Sequence, residues 1–421
     1  MTSTTILTIL LVFSFIVGRF LRRFETPNFV FSGMIYLLFG LLVGSHWGLG
    51  FLSSELLSKL EPLISLLTGI AGCLLGLRVK KLFQNRKILF TGMLSAILVF
   101  TVVATGFFIL AFYFLPVSAG AEQKLWRLFI WEFNTDFDLG ILWYAFGVAA
   151  TACSASLMNL GSASRFKKES TEITKVLSLL TPSVQMVAII LLGVCLASAR
   201  ATMSASQLQI TVAEWLMASI FSGILCGLLF SLFIGHQSNQ DRVLLAGLGA
   251  VIFACGVGSI LGISSLFVSF TTGATISLVS SYHQILKDNL IKIEEPVFVL
   301  LLIMGGASWK PELELIWILP AAYFGIRFVM FSFFPQIIYR SLTKRTLSRL
   351  GQGLLGQDLM AVAIAMSFAQ QFPKLEQMFM TTILGAIFLN DFLANTLLKK
   401  VILDNELSTQ IRPIEAKEGS Q

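Results

Sequence analysis

The sequence predicts an all-α polytopic membrane protein with about thirteen transmembrane helices. Its 421 residues are 56% hydrophobic and only 13% charged, with a mean hydropathy of +0.82, whereas soluble domains carry about 25% charged residues. Uncharged stretches such as 92–121 and 243–282 have room for several spans of about 20 residues each. Basic residues fall in short clusters between the apolar segments. Such a chain requires lipid as its solvent.

Thirteen apolar segments are candidate spans. Each is expected to be a helix, because a backbone that crosses lipid must satisfy its own hydrogen bonds, and a helix does so within one segment. No basic residue precedes the first segment, which favours a retained span over a cleaved signal peptide. The segments are 4–18, 28–52, 60–77, 88–116, 139–161, 173–198, 211–234, 243–259, 262–282, 295–307, 312–338, 351–370 and 377–398.

Lysine and arginine predict the orientation of these helices, because cytoplasmic loops carry the excess of both residues. With the N-terminus outside, the predicted inner loops hold 23 of the 30 basic residues and the outer loops hold 6. The sequence therefore predicts an external N-terminus and a cytoplasmic C-terminus in the cell (inner) membrane. This topology also accounts for the net charge of +7, so the lipid bilayer rather than a nucleic acid is the predicted partner.

Residues 1–400 are predicted to form one membrane domain, and 401–421 a disordered cytoplasmic tail. Spans three and ten both open with Glu-Pro, at Glu61 and Glu295, and both run through glycine to a basic end. Because they lie seven spans apart they are antiparallel, which is typical of an inverted repeat. Chance is the alternative, since Glu-Pro is common at helix starts. The predicted units are a first repeat at 4–198, a linker helix at 211–234 and a second repeat at 243–398.

Charged residues within spans are costly and are therefore candidates for function. Arg327 lies near the centre of span eleven and keeps its charge, so it requires an internal partner. The predicted partners are Asp391, Asp358 or, failing those, carbonyl oxygens at the end of a broken span five. A structural ion pair or a snorkelling arginine is the alternative. For Asp358 the alternative is a favourable helix dipole, and for Asp391, which follows Asn390, it is anchoring of the last helix.

Spans five and six contain the remaining candidates. Span five has a polar run of small residues that includes Ser154, Ser156 and Asn159. This run predicts either an unwound ion-binding segment or a close helix contact. Pro182 predicts a kink or break in span six, where Gln185 requires a partner. The sequence has no catalytic triad, phosphate-binding loop or metal-ligand spacing, so neither an enzyme nor a cofactor is predicted.

Four features occur in an order that resembles the monovalent cation/proton antiporter superfamily, especially its Kef-type and sodium/proton exchanger branch. They are the glycine-rich segment 69–77, the turn at 258–264, Arg327 in span eleven, and Gly356-Gln357-Asp358-Leu359 at the start of span twelve. The resemblance covers the chain up to about residue 400. It implies a homodimer, a moving core in which spans five and twelve are broken and cross, and an aspartate in span six that alternately binds cation and proton.

One position departs from this pattern. Where the superfamily commonly has a Gln-Asp pair in span six, this sequence has Gln185 and Met186. A thioether can neither carry a proton nor balance the charge of a cation. Either Asp391 substitutes, since Asn390-Asp391 holds the corresponding place in the second repeat, or ordinary proton antiport is lost. Three functions follow: transport of a monovalent cation (sodium or potassium) with protons as the candidate counter-ion, a transport-silent sensor or scaffold, or transport of an anionic or neutral solute that Arg327 binds.

Overall fold

The computed structural model of the protein is built almost entirely of helices. The described part of the chain comprises residues 33–44, 52, 54–114, 135–156, 172–203, 211–234, 240–310, 317–344, 347–357 and 359–418. Predicted span one, 4–18, lies outside it, and each of the other twelve predicted spans overlaps a described helix.

The described connections on either side of α10 are three residues long, at 262–264 and 280–282, which suits antiparallel neighbours in a bundle. In chain order they are α1 (Met34–Val43), α2 (Ser54–Lys59), α3 (Glu61–Gly76), α4 (Val79–Gln84), α5 (Arg86–Phe114), α6 (Thr135–Ala152), α7 (Glu172–Met203), α8 (Val212–Ile234), α9 (Gln240–Leu261), α10 (Ser265–Val279), α11 (His283–Ser308), α12 (Ile318–Thr343), a 3-10 helix (Leu350–Leu354), α13 (Leu359–Gln371) and α14 (Glu376–Glu418).

Six of the helical segments in the described part are long and apolar enough to cross a membrane. They correspond to α3 continued by α4, and to α5, α7, α8, α9 and α12. Shorter apolar helices occur in α6, α10 and α13. The prediction of an all-α polytopic membrane protein is therefore confirmed.

Glycine allows α3 to pack unusually close to α10. A Cβ atom added at Gly72 would meet the carbonyl oxygen of Leu266 well inside van der Waals contact, and one added at Gly273 would meet the carbonyl oxygen of Cys73 in the same way. Small residues permit such an approach of two backbones. The glycine-rich segment of span three is thus a helix-packing surface.

Two predicted spans are interrupted. The helix of span five ends at Ala152, and residues 154–156 are not helical. Span twelve consists of the 3-10 helix Leu350–Leu354, a non-helical stretch at 355–357, and α13. By contrast, α7 runs through Pro182 without a break. Interruptions of this kind occur in membrane proteins where other side chains satisfy the freed backbone groups.

Two details of the sequence prediction were wrong. Glu295 and Pro296 lie inside α11, which begins twelve residues earlier at His283, because Leu286 and Leu290 give this leading segment a buried face. Of the segment 401–421, predicted to be disordered, the described residues 401–418 continue α14 as a helix. There the buried side chain of Val401 ties the extension to the core.

Candidate functional site

Arg327 joins the two interrupted spans. It projects from the middle of α12, and only 1% of the residue is exposed. Its Nε donates to the carbonyl oxygen of Ala152 at 2.9 Å, and its Nη2 donates to that of Ser154 at 2.6 Å. On the other side, Nη2 donates to the carbonyl oxygen of Leu354 at 3.2 Å, and Nη1 donates to that of Leu355. The guanidinium thus binds four backbone oxygens from two chain segments.

These oxygens are acceptors that the helices themselves leave unsatisfied. Ala152 ends α6, and Leu354 ends the 3-10 helix. The last carbonyl groups of a helix have no intrahelical partner and carry partial negative charge. A guanidinium with five N–H groups is suited to satisfy several of them at once. Arg327 also lies over the ring of Phe331, with the guanidinium carbon 4.9 Å from the ring centroid.

The internal partners that Arg327 requires are therefore carbonyl oxygens of both broken spans, of which the sequence suggested only those of span five. Asp358 and Asn159 lie outside the described residues. Asp391 belongs to α14, but its side chain is also outside the description. Among the described residues, Arg327 is the only buried side chain with a charge.

Three buried carboxamides surround the same breaks. The Gln185 side chain donates from Nε2 to the carbonyl oxygen of Ala155, and the Asn390 side chain donates from Nδ2 to that of Leu355. Gln357 donates from Nε2 to the carbonyl oxygen of Thr151 at 3.3 Å. Because a carbonyl oxygen only accepts, these bonds fix which end of each amide is nitrogen.

The oxygen atoms of these three amides accept no hydrogen bond from the described residues. Gln185 Oε1, Gln357 Oε1 and Asn390 Oδ1 are buried and have no hydrogen-bond partner among the described residues. Leaving a buried acceptor unsatisfied costs about 1–3 kcal/mol. Buried acceptors without a partner are what a bound cation or hydrogen-bond donor would satisfy, so these three amides around the breaks are the candidate site.

The two serines of the predicted site are both buried beyond the end of α6. Ser154 Oγ donates to the carbonyl oxygen of Thr151 at 2.7 Å and accepts a bond from Gln357 Nε2 at 3.3 Å. Ser154 therefore contributes both its carbonyl oxygen and its hydroxyl to the network around Arg327. Ser156 is buried two residues further on.

Sequence reasoning missed two members of this network. Gln357 donates to Tyr323 Oη at 2.7 Å, and Tyr323 is fully buried. The signal for Tyr323 was its position four residues before Arg327, which puts both on one helix face. The signal for Gln357 was its place in a glycine-rich helix break.

A small cavity lies beside Gln185, with about 10 Å³ of room for the centre of a water molecule, which is enough for about one water. Met360 lines it at the start of α13, and Arg78 and Glu294 line it as well. These two side chains form an ion pair at 3.2 Å and are 18% and 16% exposed. The cavity therefore borders both a partly exposed ion pair and the side chain of Gln185.

No family model matches the sequence, and no curated protein matches it either. Solved structures do match the fold. A structure of the sodium/proton antiporter MjNhaP1 from Methanocaldococcus jannaschii at pH 8 superposes with a TM-score of 0.60 over 96% of both chains, at 15% sequence identity. An electron-microscopy map of the same antiporter gives a TM-score of 0.57 over 96% of this chain and 95% of that chain, also at 15% identity. The chain therefore shares the fold of this antiporter.

Proposed function

We propose that the protein is a secondary transporter of a monovalent cation, sodium or potassium, which binds between the broken helices and crosses by alternating access. The observation that carries this proposal is that the buried amide oxygens of Gln185, Gln357 and Asn390 have no hydrogen-bond partner among the described residues. Oxygen atoms of amide type replace the hydration shell of alkali cations in selective membrane proteins. The fold shared with a sodium/proton antiporter supports the same function.

Arg327 has a structural part in this proposal. Four carbonyl oxygens already occupy most of its five N–H groups. Little of the guanidinium is left to bind a solute, which disfavours transport of an anion held by Arg327. Its charge instead offsets the negative ends of the two broken helices, so that a cation is not trapped between them.

Proton coupling requires a group that changes charge, and Met186 cannot do so. We assign this part to Asp391, because it directly follows Asn390, whose amide reaches the broken span twelve. If Asp391 does not couple, the transport-silent sensor or scaffold becomes the better reading. The observation in its favour is that the buried charge among the described residues is Arg327 alone.

The domain organisation belongs to the same proposal. We assign an inverted repeat with halves at 4–198 and 243–398, joined by the linker helix at 211–234, and a homodimer of this Kef-like or exchanger-like type. Support comes from the two interruptions, in spans five and twelve, which fall in corresponding places of the two halves. Single cysteines introduced near Lys81 and Lys124 should be labelled from opposite sides of the membrane. Labelling of both from one side would refute the topology.

Flux into proteoliposomes tests the function. Purified protein is reconstituted with an internal pH indicator, and sodium, potassium or lithium is added outside at several pH values. Transport should saturate with one or two of these cations and depend on pH. The variant Gln185→Ala should raise the half-saturating cation concentration about tenfold, whereas Gln284→Ala, at an exposed glutamine, should not. Wild-type protein that is silent for all three cations at every pH would refute the transporter.

A further inference from the structure

The last helix contacts the 3-10 segment of span twelve at both of its ends. Near the candidate site, Asn390 of α14 donates to the carbonyl oxygen of Leu355. Fifteen residues further along α14, about 22 Å of helix, Asn405 Nδ2 donates to the carbonyl oxygen of Ser348 at 2.9 Å. The segment 348–355, which includes the whole 3-10 helix, therefore lies between two asparagine contacts from one helix.

The contact at Asn405 is specific in its geometry. Its Oδ1 accepts from the backbone N–H of Ser348 at 3.0 Å, while its Nδ2 donates to the carbonyl oxygen of the same residue and to that of Val401 at 2.8 Å. The side-chain amide thus pairs with one residue's backbone as a neighbouring strand would. Only 6% of Asn405 is exposed, so water competes little for these bonds.

A second contact lies beside it but is weaker. Arg349 and Asp404 form an ion pair at 3.5 Å, and both side chains are about half exposed. Exposed pairs of this kind contribute little to stability. The pair therefore serves as a matched control for the buried amide contact next to it.

The segment between the two asparagine contacts has little freedom. Arg349 has a φ of 52°, a left-handed conformation that a residue with a side chain adopts only when its surroundings impose it. Two residues later, Gly351 lies so close to the carbonyl oxygen of Phe331 that no Cβ atom would fit. A displacement at Ser348 is therefore passed along the 3-10 helix to the carbonyl groups that Arg327 binds.

We propose that Asn405 is a positioning residue: it sets the placement of the segment 348–355, and through it the Leu354 and Leu355 carbonyl oxygens at the candidate site. This inference rests on the proposed function where it concerns transport. A change at Asn405, in the distal part of α14, would then alter the position of these carbonyl oxygens without touching the candidate site directly. Segment 348–355 then moves with α14 as one body during any change of access.

Hydrogen exchange measured by mass spectrometry tests the placement without transport. In Asn405→Ala, backbone amides of peptides covering 347–357 should exchange about tenfold faster, while those of α3 and α10 stay as in the wild type. Asp404→Asn, which removes only the exposed ion pair, should change the same peptides less than about twofold. If Asn405→Ala does not fold, Asn405→Gln, which keeps both the donor and the acceptor of the side-chain amide, should give a smaller effect at the same peptides.

Flux gives the second readout. Asn405→Ala should raise the half-saturating cation concentration about tenfold with little change in maximal rate per folded molecule. Unchanged exchange at 347–357, or faster exchange spread over all helices, would overturn the inference. Faster exchange confined to 347–357 with unaltered cation affinity would limit Asn405 to a structural role, which would also overturn the inference that it positions the candidate site. A silent wild type rejects the proposed function, and the exchange data alone then decide the placement.

Discussion

Replacing Arg327 should destabilise the protein before it affects any chemistry. In Arg327→Met, four backbone oxygens lose a donor, and among the described residues only that of Leu355 keeps another, from Asn390. Three buried acceptors are left unsatisfied at about 1–3 kcal/mol each. Allowing for relaxation, we expect a loss of at least about 3 kcal/mol in the free energy of unfolding.

Arg327→Lys should fall between the wild type and Arg327→Met. An ammonium group has three N–H donors on one atom, so it can serve one broken helix but not both. A matched control is Arg340→Met, at an exposed arginine in the last turn of the same helix, which should change the free energy of unfolding by less than about 0.5 kcal/mol. The three variants thus separate the contacts of the guanidinium from the loss of a charge on α12.

Unfolding in mixed micelles with added denaturing detergent, followed by tryptophan fluorescence, measures these differences, since the chain has seven tryptophans. Equal stability of Arg327→Met and the wild type would refute the structural role. Flux of Arg327→Lys separates the two interpretations of this residue. If Arg327 bound a solute, transport would vanish at unchanged stability, whereas a structural role requires both to fall together.

Two further predictions concern coupling and packing. Asp391→Asn should abolish pH-dependent cation flux, while Met186→Asp should create or strengthen it. If Asp391 only anchors the last helix, Asp391→Asn should instead lower the yield of protein and leave the pH profile of flux per folded molecule unchanged. Gly72→Ala should destabilise the protein by about 2 kcal/mol or more, because the added Cβ would collide with the Leu266 carbonyl oxygen. Gly256→Ala is the control: the glycine has open space around it, so this change should be neutral or should stabilise the protein by up to about 1 kcal/mol. Thermal unfolding of both glycine variants in the same detergent checks this pair, and equal melting would contradict the packing argument.

The sequence predicted the helical architecture well, because hydropathy and backbone hydrogen bonding leave few alternatives in lipid. It also predicted that Arg327 has internal partners, since a buried guanidinium demands them. It did not predict that α14 continues beyond 398, because the polar residues there resemble a solvated tail until Val401 is seen to be buried. Nor did it identify Asn405, whose side chain hydrogen-bonds the backbone of Ser348, 57 residues earlier in the chain.

In the proposed site, different residues would balance charge, bind the cation and couple to protons. Arginine stays protonated at physiological pH, so Arg327 can balance the helix ends at every stage of a transport cycle but cannot supply proton coupling. The amide oxygens of Gln185, Gln357 and Asn390 can bind a cation but do not change charge. In the proposed transporter, coupling would therefore come from a carboxylate, and the hydrogen bonds of Arg327 do not involve Met186. Met186→Asp would add a titrating group directly after Gln185 in α7 and would remove none of the residues that make those four bonds.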